Sequence, residues 1–378
     1  MKRPVSPSLR PPSPDRATPP AKEPKRSSIR HFFAPGRADS PPPRAPPRKP
    51  PVEDAVCCVD LFCGAGGWSC GAEQAGHRVV LGVDFDKEIL KIHRRNFPDA
   101  RHCVMKLGKD CEERLVSLIH ECVPEGARWC LHGSPPCQTL STMQNVRGDG
   151  ERRSVGMDLV TWFLALVMRL KPTYWSLEQC AHPEIMGALR FYKALDPGGV
   201  DFGRVDFSYF GVCQRRIRVL AGSPALLTRF LNDDTVRENA PDLSDILSVP
   251  DDAFYQRASV GKNPKTEQNV QMPDGSFTNP TIRRDVRSVH TLSWTCTAHH
   301  PHVFLRKDFS VIRHQTPRET ALIQSFPPAF KFVPSASNTV HQLGMGNALP
   351  PLIARKLMEG VSAAKASCSA GPPPSPCA

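Results

Sequence analysis

No CxxC pair occurs among the 14 cysteines of this 378-residue chain, so the count does not describe the disulfide scaffold of a short secreted domain. The N-terminus, MKRPVSPS, has no apolar h-region, so no secretory leader is read there. Reduced thiols in the cytosol or nucleus are expected, and no metal site is. Long apolar runs are missing too. The longest, residues 159–168, is about half of a membrane span, and Asp158 and Arg169 bracket it. No membrane segment and no internal repeat are read.

Acidic residues are scarce at one end. Residues 1–53 hold 16 of the 40 prolines and 12 Lys/Arg against 4 Asp/Glu, a net of +8 out of the chain's +12. With so little apolar content, this segment does not repay its chain entropy and is expected to stay disordered. A basic tail suits a polyanion, and a solvated linker of the same charge reads equally well. Within it, Ile29, Phe32 and Phe33 fall on one side of a single helical turn, able to plug a hydrophobic groove. Chance apolar clustering carries at least equal weight there.

The whole chain is 40% hydrophobic, enough to bury a real core. Short β-branched runs at 56–61, 78–83, 129–132 and 174–177 alternate with helical stretches at 86–96 and 157–170, the pattern of βαβ units around a mostly parallel sheet. From 224 to 315 prolines, glycines and polar residues are dense, and no helix of any length is convincing. This stretch reads as an insertion. Helical pattern returns at 317–325 and in a closing helix at 350–364 that starts with prolines.

Four stretches hold the chemistry. The first, DLFCGAGG at 60–67, follows the first strand, and Gly64, Gly66 and Gly67 let the backbone turn tightly against a ligand. A plain strand-to-helix turn is the other reading. The second strand ends in Asp84-Phe85, a carboxylate for two ribose hydroxyls and a ring to stack on adenine, which points to a nucleoside cofactor without saying which. Next, Ser134-Pro135-Pro136-Cys137-Gln138 follows a strand at the sheet edge where ligands of open α/β sheets bind. Packing explains a Pro-Pro-Cys turn there poorly, although an inert buried thiol stays open. Third, Glu178 ends an otherwise apolar strand, either placed to donate or share a proton or satisfied structurally. Last, in Gln214-Arg215-Arg216-Ile217-Arg218 the residues 216 and 218 point to one face of a strand, for a phosphate or a base carbonyl or merely as an exposed basic edge.

DLFCGAGG, PPCQ, a Glu ending a strand, QRRIR, Arg318-Glu319 in TPRETALIQSFPP, and Gly346-Asn347-Ala348-Leu349-Pro350-Pro351 occur in that order. From about residue 56 to 364 the chain thereby resembles the cytosine carbon-5 DNA methyltransferase family. The resemblance implies a Rossmann-like, doubly wound, mostly parallel α/β sheet of the class I methyltransferases, with a small irregular target-recognition domain and a disordered N-terminal tail. The divisions are then 1–53 (tail), 54–223 (S-adenosylmethionine-binding catalytic domain), 224–315 (target recognition), 316–365 (return to the catalytic domain) and 366–378 (disordered end). It also implies Cys137 as nucleophile, Glu178 acting at ring nitrogen 3, and Arg216 or Arg218 at the base carbonyl. Phe62, Gly64, Gly66, Gly67, Asp84, Phe85, Pro136 and Asn347 would bind S-adenosyl-L-methionine. The substrate implied is double-stranded DNA with a flipped cytosine, taken by a monomer.

Arg283, Arg284 and Arg287 are candidates for phosphates, and residues 291–300 for the groove. The tail turn resembles the peptide by which replication proteins hold the sliding clamp, which implies a nuclear enzyme maintaining methylation near replication forks. A tRNA cytosine-5 methyltransferase on the same scaffold and a non-catalytic DNA- or clamp-binding adaptor are the alternatives. The chain departs from the family at Gln179-Cys180, where Asn-Val is usual, and has no carboxylate in residues 101–107 for the adenine amino group. Its Gln342-Leu343-Gly344-Met345 also shifts the spacing before Asn347.

Overall fold

The computed structural model describes residues 55–136, 150–256, 270–271, 286–299, 301–308 and 310–369, with backbone alone at 150–155, 270–271 and 362–369. The first half runs β1 (Cys57–Leu61), α1 (Gly67–Gln74), β2 (Arg78–Asp84), α2 (Lys87–Asn96), β3 (Arg101–Val104), α3 (Glu112–Cys122), β4 (Trp129–Gly133), α4 (Gly150–Leu170), β5 (Tyr174–Cys180) and α5 (Pro183–Leu195). Then follow β6 (Asp201–Asp206), β7 (Ile217–Gly222), α6 (Pro224–Asn232), α7 (Leu243–Ile246), β8 (Phe254–Gln256), β9 (Val270–Gln271), β10 (Val286–Ser288), β11 (Val303–Leu305) and β12 (Val311–His314). The chain ends in α8 (Pro317–Ile323), α9 (Asn338–Asn347) and α10 (Pro351–Ser369).

The main sheet has the order β3-β2-β1-β4-β5-β7-β6. Its first five strands are parallel and β7 runs antiparallel between β5 and β6. Alternation along the strands sorts side chains to two cores. Cys58, Val79, Cys130 and Leu220 face one with α1, α6 and α10, whereas Val59, Val80, Leu131 and Val219 face the other with α3, α4 and α5. The architecture is the doubly wound α/β sheet expected from the sequence.

Local chemistry starts the helices. Asp86 caps α2 by accepting from Glu88 N and Ile89 N, and Thr316 with Glu319 closes a capping box on α8. Prolines occupy the first turns of α5, α6 and α8, where a missing N–H costs nothing. Helix α6 was not legible as a helix, because it opens the proline-dense stretch. Its Leu226, Leu227 and Phe230 nevertheless repeat at helical spacing and bury against the core that holds α10. β7 is an interior strand, so the basic-edge reading of residues 216–218 does not hold.

Beyond α6, the five-stranded sheet β12-β11-β8-β10-β9 has its own core of Leu243, Ile246, Tyr255, Val289, Cys296 and Phe304. The chain then returns to the first module, where α10 lies against α1. Among the described residues no helix is long and apolar enough to cross a membrane.

Candidate active site

The C-terminal ends of β1, β2, β4 and β5 lie along one edge of the sheet because these strands are parallel, and antiparallel β7 brings its first residues to the same edge. Chain direction alone therefore gathers residues 62–67, 84–85, 134–136, 178 and 216–218. Phe62, Gly64 and Gly66 all have positive φ (56°, 52° and 96°), which reverses the chain between β1 and α1. At Gly66 the backbone is left-handed and a Cβ would lie 2.4 Å from Phe97 Cε2; at Gly67 it would lie 2.1 Å from the Leu349 carbonyl oxygen. Gly64 differs, since nothing stands within 4 Å of the position its Cβ would take.

Asp84 fixes this turn. Its Oδ2 accepts from Gly64 N and its Oδ1 from Asp86 N, both at 2.9 Å. Burial pushes its carboxyl above the usual range, and those two N–H groups pull it back. Beside it the Phe85 ring is 63% exposed, unusual for so large an apolar surface. Asn347 ends α9 with its side chain exposed, two residues before the Leu349 carbonyl that meets Gly67.

Across the cleft, Glu178 is buried in β5, with Arg218 Nε 3.0 Å from its Oε1. Register explains the pair. Arg218 stands directly opposite Cys180, and Glu178 is the next residue on that face, so the two are diagonal neighbours. Arg216 goes elsewhere, contrary to the expectation that it shares one face with Arg218. It precedes the paired strand, is buried, and donates through Nη1 to the carbonyls of Cys296 (3.3 Å) and Gly346 (3.2 Å).

Gln179 is also buried and donates from Nε2 to the Pro135 carbonyl at 2.9 Å, so the longer side chain still reaches the loop after β4. Pro136, the residue before Cys137, is exposed. Cys137, the expected nucleophile, lies outside the described residues, as do Arg283, Arg284, His300 and the tail residues Ile29, Phe32 and Phe33. Arg287 is described and is not free for a phosphate: its guanidinium lies 3.4 Å over the Trp294 ring and donates to the Leu292 carbonyl.

Several polar groups were missed by sequence reasoning. His132 is buried in β4, stacks on Trp68 (centroids 4.6 Å, planes 4° apart), and contacts Ser176 Oγ through Nδ1 and Ser134 Oγ through Nε2, both at 2.8 Å. Burial drives its pKa down to about 3. Beneath the glycine turn, Ser69 Oγ donates to Asp60 Oδ2 at 2.6 Å and meets His93 Nε2 at 3.0 Å, while His93 Nδ1 meets His102 Nε2 at 2.9 Å. Burial raises Asp60 to about 7 and lowers His102 to about 4.

A buried amide network joins the two modules. Gln342 Nε2 donates to the Thr297 carbonyl, Gln324 Nε2 to the Met345 carbonyl, and Gln214 Oε1 accepts from Cys296 N. The only sequence signal for these groups was polarity inside an apolar run. Among the described residues, no cluster of His, Cys, Asp and Glu is arranged to hold a metal ion.

A glycine turn closed by a carboxylate, an exposed ring beside it, and a Glu–Arg pair facing them across one sheet edge define an α/β methyltransferase of the Rossmann-like class. The chain belongs to the C-5 cytosine-specific DNA methylase family, whose model matches residues 56–363. The Herpetosiphon aurantiacus type II methyltransferase M.HgiDI is 28% identical over 300 residues, covering 77% of this chain and 89% of its own. M.HindV, a type II methyltransferase of Haemophilus influenzae, is 29% identical over 315 residues, covering 79% and 93%. Among solved structures, a mutant of Spodoptera frugiperda DNMT2 shares the fold at TM-score 0.55 and 14% identity, over 82% of this chain and all of that one. The protein is thus a DNA (cytosine-5-)-methyltransferase by family, and the family's methyl donor is S-adenosylmethionine.

Proposed function

We propose that this protein methylates carbon 5 of cytosine in double-stranded DNA through a covalent adduct on Cys137. The Glu178–Arg218 pair carries the reading: it stands at the sheet edge that also holds the Asp84 cleft and Pro136, the residue before Cys137. Structural ion pairs are common, but this one stands at the sheet edge where the family motifs converge.

S-adenosylmethionine fits the residues present. The space beside Gly64 is open, Phe85 offers a free ring face for adenine, and Asp84 keeps lone pairs for ribose hydroxyls. Phe62, Gly66, Gly67, Pro136 and Asn347 complete the cradle. When bound, the cofactor supplies a methyl group on a sulfonium sulfur.

Carbon 5 of cytosine is a poor nucleophile. The Cys137 thiolate adds to carbon 6, breaking the ring double bond and leaving an enamine nucleophilic at carbon 5. Glu178 protonates or hydrogen-bonds ring nitrogen 3, where charge builds, and Arg218 holds Glu178 and faces the base carbonyl. Methyl transfer to carbon 5 would break the sulfonium–methyl bond and leave a neutral thioether; a base or water then takes the carbon-5 proton, and its electrons restore the ring double bond as the Cys137 thiolate leaves carbon 6. Arg216 serves as a strut between the modules. The residues beyond α6, up to 315, supply target recognition, and their contacts offset the few kcal/mol that base flipping costs.

The proposal extends to a nuclear enzyme that maintains methylation near replication forks, supported by the basic tail with Ile29, Phe32 and Phe33. Binding of a tail peptide to purified sliding clamp tests that arm. DNA carrying 5-fluorocytosine tests the chemistry, because fluorine at carbon 5 does not leave as a proton. A denaturant-stable protein–DNA complex formed by wild type and absent in Cys137→Ser supports the adduct, and its absence in both overturns it.

A further inference from the structure

A histidine enclosed between two serines in an otherwise apolar strand demands a reason. Both flanking positions in β4 are spoken for: Leu131 packs in the core, and a Cβ on Gly133 would lie 2.4 Å from the Phe163 ring. His132 itself is 1% exposed, and removing a ring of this size from water costs free energy unless both nitrogens are matched. They are matched, at 2.8 Å each.

The partners come from two neighbouring segments, β5 and the loop that leaves β4. Ser176 is on β5, two residues before Glu178 on the same face of the strand. Ser134 opens the loop that leads through Pro135 and Pro136 to Cys137. Trp68, in the first turn of the helix after the glycine turn, stacks flat on the imidazole and prevents it from rotating away. The bridge from β5 through His132 to Ser134 therefore ends one residue before the point where Gln179, also on β5, reaches the Pro135 carbonyl.

We propose that His132 is a positioning residue for methyl transfer: through its Nε2 contact to Ser134 it sets the start of the nucleophile loop relative to Glu178. The ring stays neutral at every working pH, since burial holds its pKa near 3, so one nitrogen donates while the other accepts. Two ties from β5, one through His132 to the Ser134 hydroxyl and one from Gln179 to the Pro135 carbonyl, hold the two residues at the start of the loop. Misplacement of a reacting group by about 1 Å costs on the order of a hundredfold in rate, so loosening the loop at Ser134 is expected to slow the methyl transfer.

This inference rests on the proposed Cys137 chemistry, and the test separates the two. Asparagine at 132 places its amide where Nδ1 stands and keeps the Ser176 side; glutamine reaches the Nε2 position and keeps the Ser134 side. Both lose the stack on Trp68 and are expected to melt at similar temperatures. Steady-state methylation of DNA, with affinity for S-adenosylmethionine measured separately, is read for wild type, His132→Asn, His132→Gln and Ser134→Ala. We expect kcat to fall on the order of tenfold to a hundredfold in His132→Asn and Ser134→Ala, with His132→Gln closer to wild type and cofactor affinity within about threefold throughout. Trapping on 5-fluorocytosine DNA should slow in parallel. Equal kcat in the Asn and Gln variants, or wild-type kcat in Ser134→Ala, overturns the positioning role. Should both His132 variants fail to fold, Ser134→Ala decides, since its side chain is only half-buried. No methylation by wild type on any DNA instead overturns the underlying reading, and the inference with it.

Discussion

Gly71→Ala should destabilise the protein, although alanine is the better helix former. Gly71 lies in α1, and a Cβ there would stand 2.3 Å from the Pro351 carbonyl oxygen, 2.5 Å from Ala354 Cβ and 2.6 Å from Arg355 N. Two of these atoms are backbone and the third is a Cβ, so no side-chain rotation relieves the clash. To restore ordinary contact, α1 and α10 must separate by about 1 Å or more. Overpacking of this kind costs about 1–3 kcal/mol, and separation also loosens Ile353, Ala354, Leu357 and Met358 in the core below. Helix propensity returns about 1 kcal/mol. The net loss, up to about 2 kcal/mol, corresponds to as much as roughly 4–8 °C in Tm for a domain of this size. Thermal unfolding of the full chain followed by circular dichroism reads this directly. Gly187→Ala in α5 is the matched control, because nothing stands within 4 Å of its Cβ position, and it should raise Tm. A Gly71→Ala protein as stable as wild type would refute the close crossing of α1 and α10.

Glu178→Gln should lower kcat by about a hundredfold or more, as loss of one preorganised charge does, and leave cofactor binding unchanged in calorimetry. Asp84→Ala should weaken S-adenosylmethionine binding by about tenfold or more, because it removes the acceptor for Gly64 N as well as the ribose partner; unchanged affinity would place the cofactor elsewhere. Asp60 and the half-buried His102 respond to pH with opposite signs. Burial raises Asp60 to about 7 from 3.8, so its contribution is complete below pH 3.8 and is lost as pH rises to about 7. For His102, lowered from 6.5 to about 4, the contribution is complete above pH 6.5 and is lost as pH falls through 4. The Tm difference between Asp60→Asn and wild type should therefore grow from pH 4 to pH 7, and a constant difference would contradict the burial of that charge.

Legibility differed between elements for physical reasons. β1, β2, β4 and β5 were legible because each is a short run of apolar and β-branched residues bounded by turn residues. α1 was legible from the glycine turn before it and not from periodicity: its glycines and alanine make it small, which is what lets α10 approach, and they leave little periodic pattern. The motif residues at 60–67, 84–85 and 178 could be assigned to one sheet edge, since parallel strands carry their C-terminal ends together. Partners were another matter. Arg218 meets Glu178 through the antiparallel register of β5 with β7, and Arg216 reaches Cys296 and Gly346, which are 80 and 130 residues away in sequence. No local spacing encodes such contacts. The His132 bridge was hidden for the same reason, its two serines being brought together only when β4 and β5 pair.

The central claim is tested most directly by following labelled methyl groups from S-adenosylmethionine into DNA, then digesting the product to nucleosides. Unmethylated DNA, hemimethylated DNA and tRNA are run in parallel, with Cys137→Ala beside wild type. The account predicts label in 5-methylcytosine of DNA that disappears in the Cys137→Ala protein, with hemimethylated duplex the better substrate for a maintenance enzyme. Label confined to tRNA, label at another ring position, or undiminished labelling by Cys137→Ala would contradict it.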